Sequence, residues 1–175
     1  TANVVVDKTI GSSPKTVVKR AVSAYKDAKK QGLPFDRVYC VFDKDRHGNS
    51  YSEALNRISQ ISPKGVFQAI PSIPCFEYWL LLHFVYTRKS FYGSSRSPCD
   101  EVIKELTKED RYPGYAKNTR GVFAFLRSRL ETAKQNAHRS FSESESTGSD
   151  DPSTHVHLLV EYLERLTKHD SPASG

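Results

Sequence analysis

The chain has 175 residues, 37% hydrophobic and 26% charged, which supplies one core and is too little for two large domains. Nine Tyr, nine Phe and one Trp exclude wholesale disorder and a collagen-like repeat, and the longest apolar run, at 78–85, is broken by His83 and falls well short of a membrane helix. Residues 1–140 hold 24 Lys and Arg against 13 Asp and Glu, while 141–175 hold 2 against 7, so a basic body points to a polyanionic partner.

Residues 3–7 (NVVVD) form a β-branched run and predict a first strand. A turn at 11–14 (GSSP) follows, then an amphipathic stretch over 15–30 in which Val17, Val18, Ala21, Val22 and Tyr25 recur at helical spacing. Ser13 is the expected N-cap and Pro14 suits the first helical position, where no N–H is needed. Gly32 and Pro34 end this helix. Residues 37–42 (RVYCVF) have the length and apolarity of a buried parallel strand, 50–60 are helical with Ala54, Leu55 and Ile58 inward, and 66–70 make a third strand ahead of Pro71. Strands alternating with helices imply βαβ units and a mainly parallel sheet flanked by helices.

Beyond the prolines the pattern is helical. Residues 75–84 are apolar on nearly every face, 100–109, 119–137 and 154–167 carry helical periodicity, and no further strand is expected. The segment 140–151 (SFSESESTGSDD) lacks apolar content and reads as a mobile loop. The expectation is one domain over 1–175, with an α/β core at 1–90, a helical extension at 91–175 and a loop near 140–152. Cys40, Cys75 and Cys99 contain no CxxC pair, which argues against disulfides and a zinc site and fits a reducing cytoplasm. Methionine is absent and the first residue is Thr1, so a missing beginning is expected.

The strongest chemical signal is Phe42-Asp43-Lys44-Asp45-Arg46-His47-Gly48. Two carboxylates two residues apart leave the carboxyl end of an inferred central strand, the edge where open α/β sheets place their sites. They repel unless a cation or a shared proton intervenes, and all-oxygen ligands suit Mg²⁺ or Mn²⁺. A solvated turn is the bland alternative. An EF-hand starting at Asp43 is excluded, because its twelfth position is Ala54 where a bidentate Glu is required. An aspartyl-nucleophile phosphatase fits poorly, since Arg46-His47 follow the pair. A TOPRIM-type phosphodiester site, in which the aspartate pair works with a glutamate, fits best. Glu77 opens a helix apolar all round and needs a partner, either the helix N-terminus or the Asp43 and Asp45 site. Lys44, Arg46 and His47 share the loop and are candidates for phosphate contact, as are Lys117 and Arg120 after the Tyr112-Pro113-Gly114-Tyr115 turn, where rings and cations interleave. His83 reads as a hydrogen-bonded core histidine, and His155 with His157 as a poor metal pair.

The run FDKD after VYCV, the block IPCFEYWLLLHF and the later DPSTHVHLLVEYL resemble the RloB-like proteins in order and spacing, as does GSSP followed by VVKRA. The resemblance covers nearly all of the chain. It implies a TOPRIM-like (Rossmann-like) α/β core with a helical C-terminal half, and Asp43, Asp45 and Glu77 as catalytic and metal-binding residues for Mg²⁺ or Mn²⁺. It further implies a cytoplasmic nuclease effector of bacterial phage defence, acting on RNA, with tRNA favoured over DNA, beside a partner ATPase of the RloA or ABC/AAA type. Assembly into a homo-oligomer is left open. Members of the family open with a strand ending in Glu-Gly, and nothing ahead of Asn3 supplies it. Either that segment is missing or the site is incomplete, and the alternative function is a non-catalytic RNA-binding or ATPase-regulating subunit.

Overall fold

The structure, a computed structural model, describes residues 3–7, 13–46 and 48–169. In chain order the elements are α1 (Pro14–Lys30), β1 (Val38–Asp43), α2 (Gly48–Gln60), β2 (Phe67–Ile73), α3 (Glu77–Leu81), α4 (Pro98–Leu106), α5 (Val122–Leu126), a 3₁₀ turn (Arg127–Arg129), α6 (Leu130–Thr147), β3 (Ser153–Thr154) and α7 (Val156–His169). The result is a mixed α/β fold around a three-stranded sheet.

α1 begins as its residues dictate: Ser13 accepts the Thr16 N–H through its side chain, and Pro14 occupies the first turn. β1 and β2 are parallel from Val38 opposite Phe67 to Asp43 opposite Ser72, with α2 between them in the chain. Strand alternation then sorts the side chains into two layers. Val38, Cys40, Phe42, Phe67, Ala69 and Ile73 join Val18, Tyr25, Tyr51 and Ala54 in a cluster under α1 and α2. Tyr39 and Ile70 face the other way, into a cluster with Tyr78, Leu80, Leu81, Leu82, Val102, Leu106, Ala137 and Val156. Asp43 has the parity of Tyr39, so the pleat turns it toward the α3 layer.

Four expectations need correction. Residues 3–7 are not a strand: Val4, Val5 and Val6 are exposed and pair with no strand among the described residues, and a β-branched run gains little from extending without such pairing. A further strand does follow the prolines. β3 pairs antiparallel with Ser72 and Ile73 of β2, so the sheet is mixed, and two residues are too few to show a period. The stretch 119–137 is not one helix but α5, the 3₁₀ turn and the start of α6, with Gly121 at φ 76° ahead of α5. Residues 140–147 are not a loop but the end of α6. Ala133, Ala137 and Ser140 form its buried stripe of small residues, Arg139 pairs with Glu143 at 3.0 Å, and Gly148 closes the helix in the left-handed region at φ 69°.

The turn after α6 is tied down. Lys44 Nζ pairs with Asp150 at 2.9 Å, Arg88 donates to the Ser149 carbonyl at 2.9 Å and to the Pro152 carbonyl, and Ser90 bonds Asp151. The buried Tyr78 hydroxyl donates to the Thr87 carbonyl at 2.8 Å and lies 3.0 Å from Ser140 Oγ. Ser72 and Thr154 hydroxyls meet at 2.9 Å across the β2–β3 pair. Among the described residues no helix is long and apolar enough to cross a membrane.

Candidate functional site

The carboxyl ends of β1 and β2 and the start of α3 meet at one place. Beyond β1 the backbone continues its ladder: Lys44 N–H donates to the Ser72 carbonyl at 3.0 Å and Asp45 N–H to the Pro74 carbonyl at 2.8 Å. Asp45 is thereby held at φ 35°, a left-handed conformation costly for a residue with a β-carbon, and its carbonyl accepts the Tyr92 hydroxyl at 2.8 Å. Its side-chain atom Oδ1 is buried with no hydrogen-bond partner among the described residues.

The Asp43 carboxyl lies near the start of α3, where the Phe76 N–H favours its charged form. Burial, and then the charge of Glu77, push its pKa up to about 6, with Lys117 acting in the opposite direction. The Glu77 carboxylate is therefore close enough, at a poorly hydrated place, to oppose ionisation of Asp43. Glu77 is 6% exposed although it opens a helix. Its Oε1 accepts the Tyr115 hydroxyl at 3.1 Å and its Oε2 the Cys99 thiol at 3.3 Å.

The structure thus brings Asp43 and Glu77 together and places Asp45 beside them. Lys117, exposed on its loop, lies within electrostatic reach of Asp43 and of the Cys75, Glu77 and Cys99 cluster, and Cys99 first, then Glu77, hold its ammonium charged above the usual range. Lys44 leaves the strand tip but is engaged by Asp150. Arg46 is exposed and reaches the Arg96 carbonyl at 3.4 Å, Arg120 is exposed on the approach to α5, and His47 lies outside the described residues. His83 bonds the Trp79 carbonyl at 3.0 Å and packs edge-on against the Trp79 ring, the expected core histidine.

Sequence reasoning missed three participants. Cys75, Cys99 and Tyr115 converge on Glu77, and Cys99 and Tyr115 stand 22 and 38 residues from it, with no local motif to betray them. It also missed the aromatic surface beyond Tyr115. Tyr115 meets Tyr112 at 5.6 Å between centroids, Tyr112 stacks on Phe125 at 4.3 Å, and the Arg129 guanidinium sits over the neighbouring Phe84 ring. Phe123 and Phe125 are exposed there. Residues 111–130 carry Arg111, Lys117, Arg120, Arg127 and Arg129 and no acidic residue, so the rings lie on a cationic segment.

Asp43, Asp45 and Glu77 are oxygen donors of the kind a hard divalent cation takes, and Asp45 Oδ1 is buried without a partner, but among the described residues their donor atoms do not close into one cluster as those of Cys75, Glu77 and Cys99 do. Comparison with curated proteins finds no match, and comparison with solved structures finds none either. The family model described as RloB-like protein matches residues 1–163, and with nearly the whole chain so covered the protein belongs to the RloB-like family.

Proposed function

We propose that this chain is a metal-dependent nuclease on a TOPRIM-like fold, acting on RNA, with tRNA favoured over DNA, as a cytoplasmic effector of phage defence alongside a partner ATPase of the RloA or ABC/AAA type. The observation that carries the reading is the opposed carboxyl pair, Asp43 and Glu77, beside the partnerless Asp45 oxygen at the carboxyl ends of two parallel strands. Asp43, Asp45 and Glu77 would hold Mg²⁺ or Mn²⁺, which supplies charge stabilisation at a phosphoryl group and activation of water. Lys117 and Arg46 flank that position and would meet phosphate oxygens. The basic segment with exposed Phe123 and Phe125 offers base stacking to an unpaired strand. Tyr115 orients Glu77 through its hydroxyl.

The second reading is a non-catalytic RNA-binding or ATPase-regulating subunit. It is favoured by the way both Glu77 oxygens are already hydrogen-bonded within the protein.

One experiment separates the two. Mg²⁺ or Mn²⁺ is titrated into the protein and into the Asp43→Asn, Asp45→Asn double variant while the melting temperature is followed, and both proteins are then incubated with the partner ATPase and tRNA. The nuclease reading expects metal stabilisation and tRNA cleavage in the parent and neither in the variant. Identical, metal-indifferent melting and intact tRNA in both would eliminate it.

A further inference from the structure

The donor set that closes most tightly is not the aspartate pair. Among the described residues, Cys75, Glu77 and Cys99 are the three potential ligands whose donor atoms all lie within 4.8 Å of one another, and all three residues are buried. Their positions come from two helices. Cys75 and Glu77 flank Phe76 at the start of α3, and Cys99 sits in the first turn of α4 behind the Ser97 cap and Pro98. The Cys99 thiol donates to Glu77 Oε2 at 3.3 Å and also contacts Cys75. Lys117 stands over the cluster, so a cation is already drawn to it.

We propose that Cys75, Cys99 and Glu77 form a binding site for a soft divalent cation, with Zn²⁺ the ion that suits it. Two sulfurs and a carboxylate oxygen are a zinc donor set with a fourth position left for water, whereas Mg²⁺ takes oxygen ligands and has no use for the thiols. On binding, each thiol gives its proton to solvent, so one Zn²⁺ replaces two protons. Two thiolates, one carboxylate and the ion then carry one net negative charge, which the Lys117 ammonium offsets. The site is distinct in chemistry from the hard-cation position at Asp43 and Asp45, shares Glu77 with it, and does not depend on the nuclease reading.

The test uses the chelator-treated full chain with Co²⁺ as a spectroscopic probe and Zn²⁺ as competitor. The parent protein should develop thiolate-to-cobalt charge-transfer absorption in the near ultraviolet, saturating at one equivalent and abolished by Zn²⁺. Cys75→Ser and Cys99→Ser should each weaken Co²⁺ binding by at least the roughly 10- to 100-fold that loss of a mere supporting group costs, while Cys40→Ser, whose thiol lies in the other core cluster, keeps the full absorption. A parent spectrum without charge transfer overturns the proposal, and that measurement needs no variant to fold. Parent-like absorption in both the Cys75→Ser and the Cys99→Ser variant overturns it as well. Stabilisation by Mg²⁺ without a cobalt–sulfur band would leave the nuclease reading standing alone, and the band without Mg²⁺ stabilisation would do the reverse.

Discussion

Replacing Asp43 by Asn removes a charge from a place that resists it. Asn keeps the shape and one side-chain oxygen, so the substitution isolates the charge. The Asp43 pKa stands at about 6 in the fold against an ordinary 3.8, so the folded protein binds its proton more tightly than the unfolded chain does. The sign follows: Asp43 imposes no penalty below about pH 4, destabilises progressively as pH rises toward 6, and does so fully above 6. At about 1.4 kcal/mol per pH unit the difference is on the order of 3 kcal/mol, and solvent reaching the rim of the site reduces it to about 2. Asp43→Asn is therefore expected to be more stable than the parent at pH 7 by about 1–3 kcal/mol, or roughly 2–10 °C in melting temperature for a chain of this size. The assay is thermal unfolding followed by circular dichroism from pH 4 to pH 8 in chelator-treated buffer. The two curves should converge at pH 4, and saturating Mg²⁺ should narrow the gap at pH 7. An Asn variant less stable than the parent at pH 7 by an amount independent of pH would refute the reasoning, since Asp43 would then be a well-satisfied carboxylate with no call for a cation.

His157 is buried with both ring nitrogens lacking hydrogen-bond partners among the described residues, and burial, then His138, push its pKa down to about 4. Its proton is bound more readily by the unfolded chain, so stability is lost as pH falls from about 6.5 to 4. His157→Leu should gain about 2 kcal/mol relative to the parent over that interval in urea titrations, after allowance for screening, and a parallel shift at all pH values would contradict this. Leu82→Ala, at a fully buried position, should cost about 2–5 kcal/mol in chemical denaturation, and a loss under 1 would mean that the α3 layer collapses around the gap. Phe123→Ala should leave the melting temperature nearly unchanged, because the ring is exposed, yet lower affinity for a single-stranded RNA by about 5- to 150-fold in fluorescence anisotropy. Equal binding by the parent and this variant would remove the stacking surface from the proposal.

The local part of the structure was legible in the residues. Ser13 and Pro14 mark the start of α1, the apolar run into Asp43 marks β1, and the aspartate pair after that run marks the candidate site. Glu77 was legible as a carboxylate in poor solvent needing company, and the structure supplies Asp43 on one side and Cys99 and Tyr115 on the other. What escaped depends on distant partners. The polar segment 140–147 continues α6, whose small residues Ala133, Ala137 and Ser140 pack into the core while Glu143 pairs with Arg139, and a composition rule that counts apolar content cannot see this. β3 exists because Ser72 and Ile73 offer an edge to Ser153 and Thr154, whereas residues 3–7 pair with no strand among the described residues. Strand formation is a property of the pair, whereas the cap of α1 is written within four residues.

The two-residue strand β3 also sets the order in which the protein is finished. Ser153 and Thr154 dock on β2, the His155 N–H reaches the Pro71 carbonyl at 2.9 Å, and the preceding Pro152 carbonyl anchors Arg88. A ribosome delivers Asp43, Asp45 and Glu77 long before it delivers these residues, so in a growing polypeptide the far edge of β2 is still open to water. Ser72, which lies opposite Asp43 on one side and Thr154 on the other, gains that second neighbour only when residues 153–155 have emerged, which makes closure of the sheet beside the acidic centre a late event of translation.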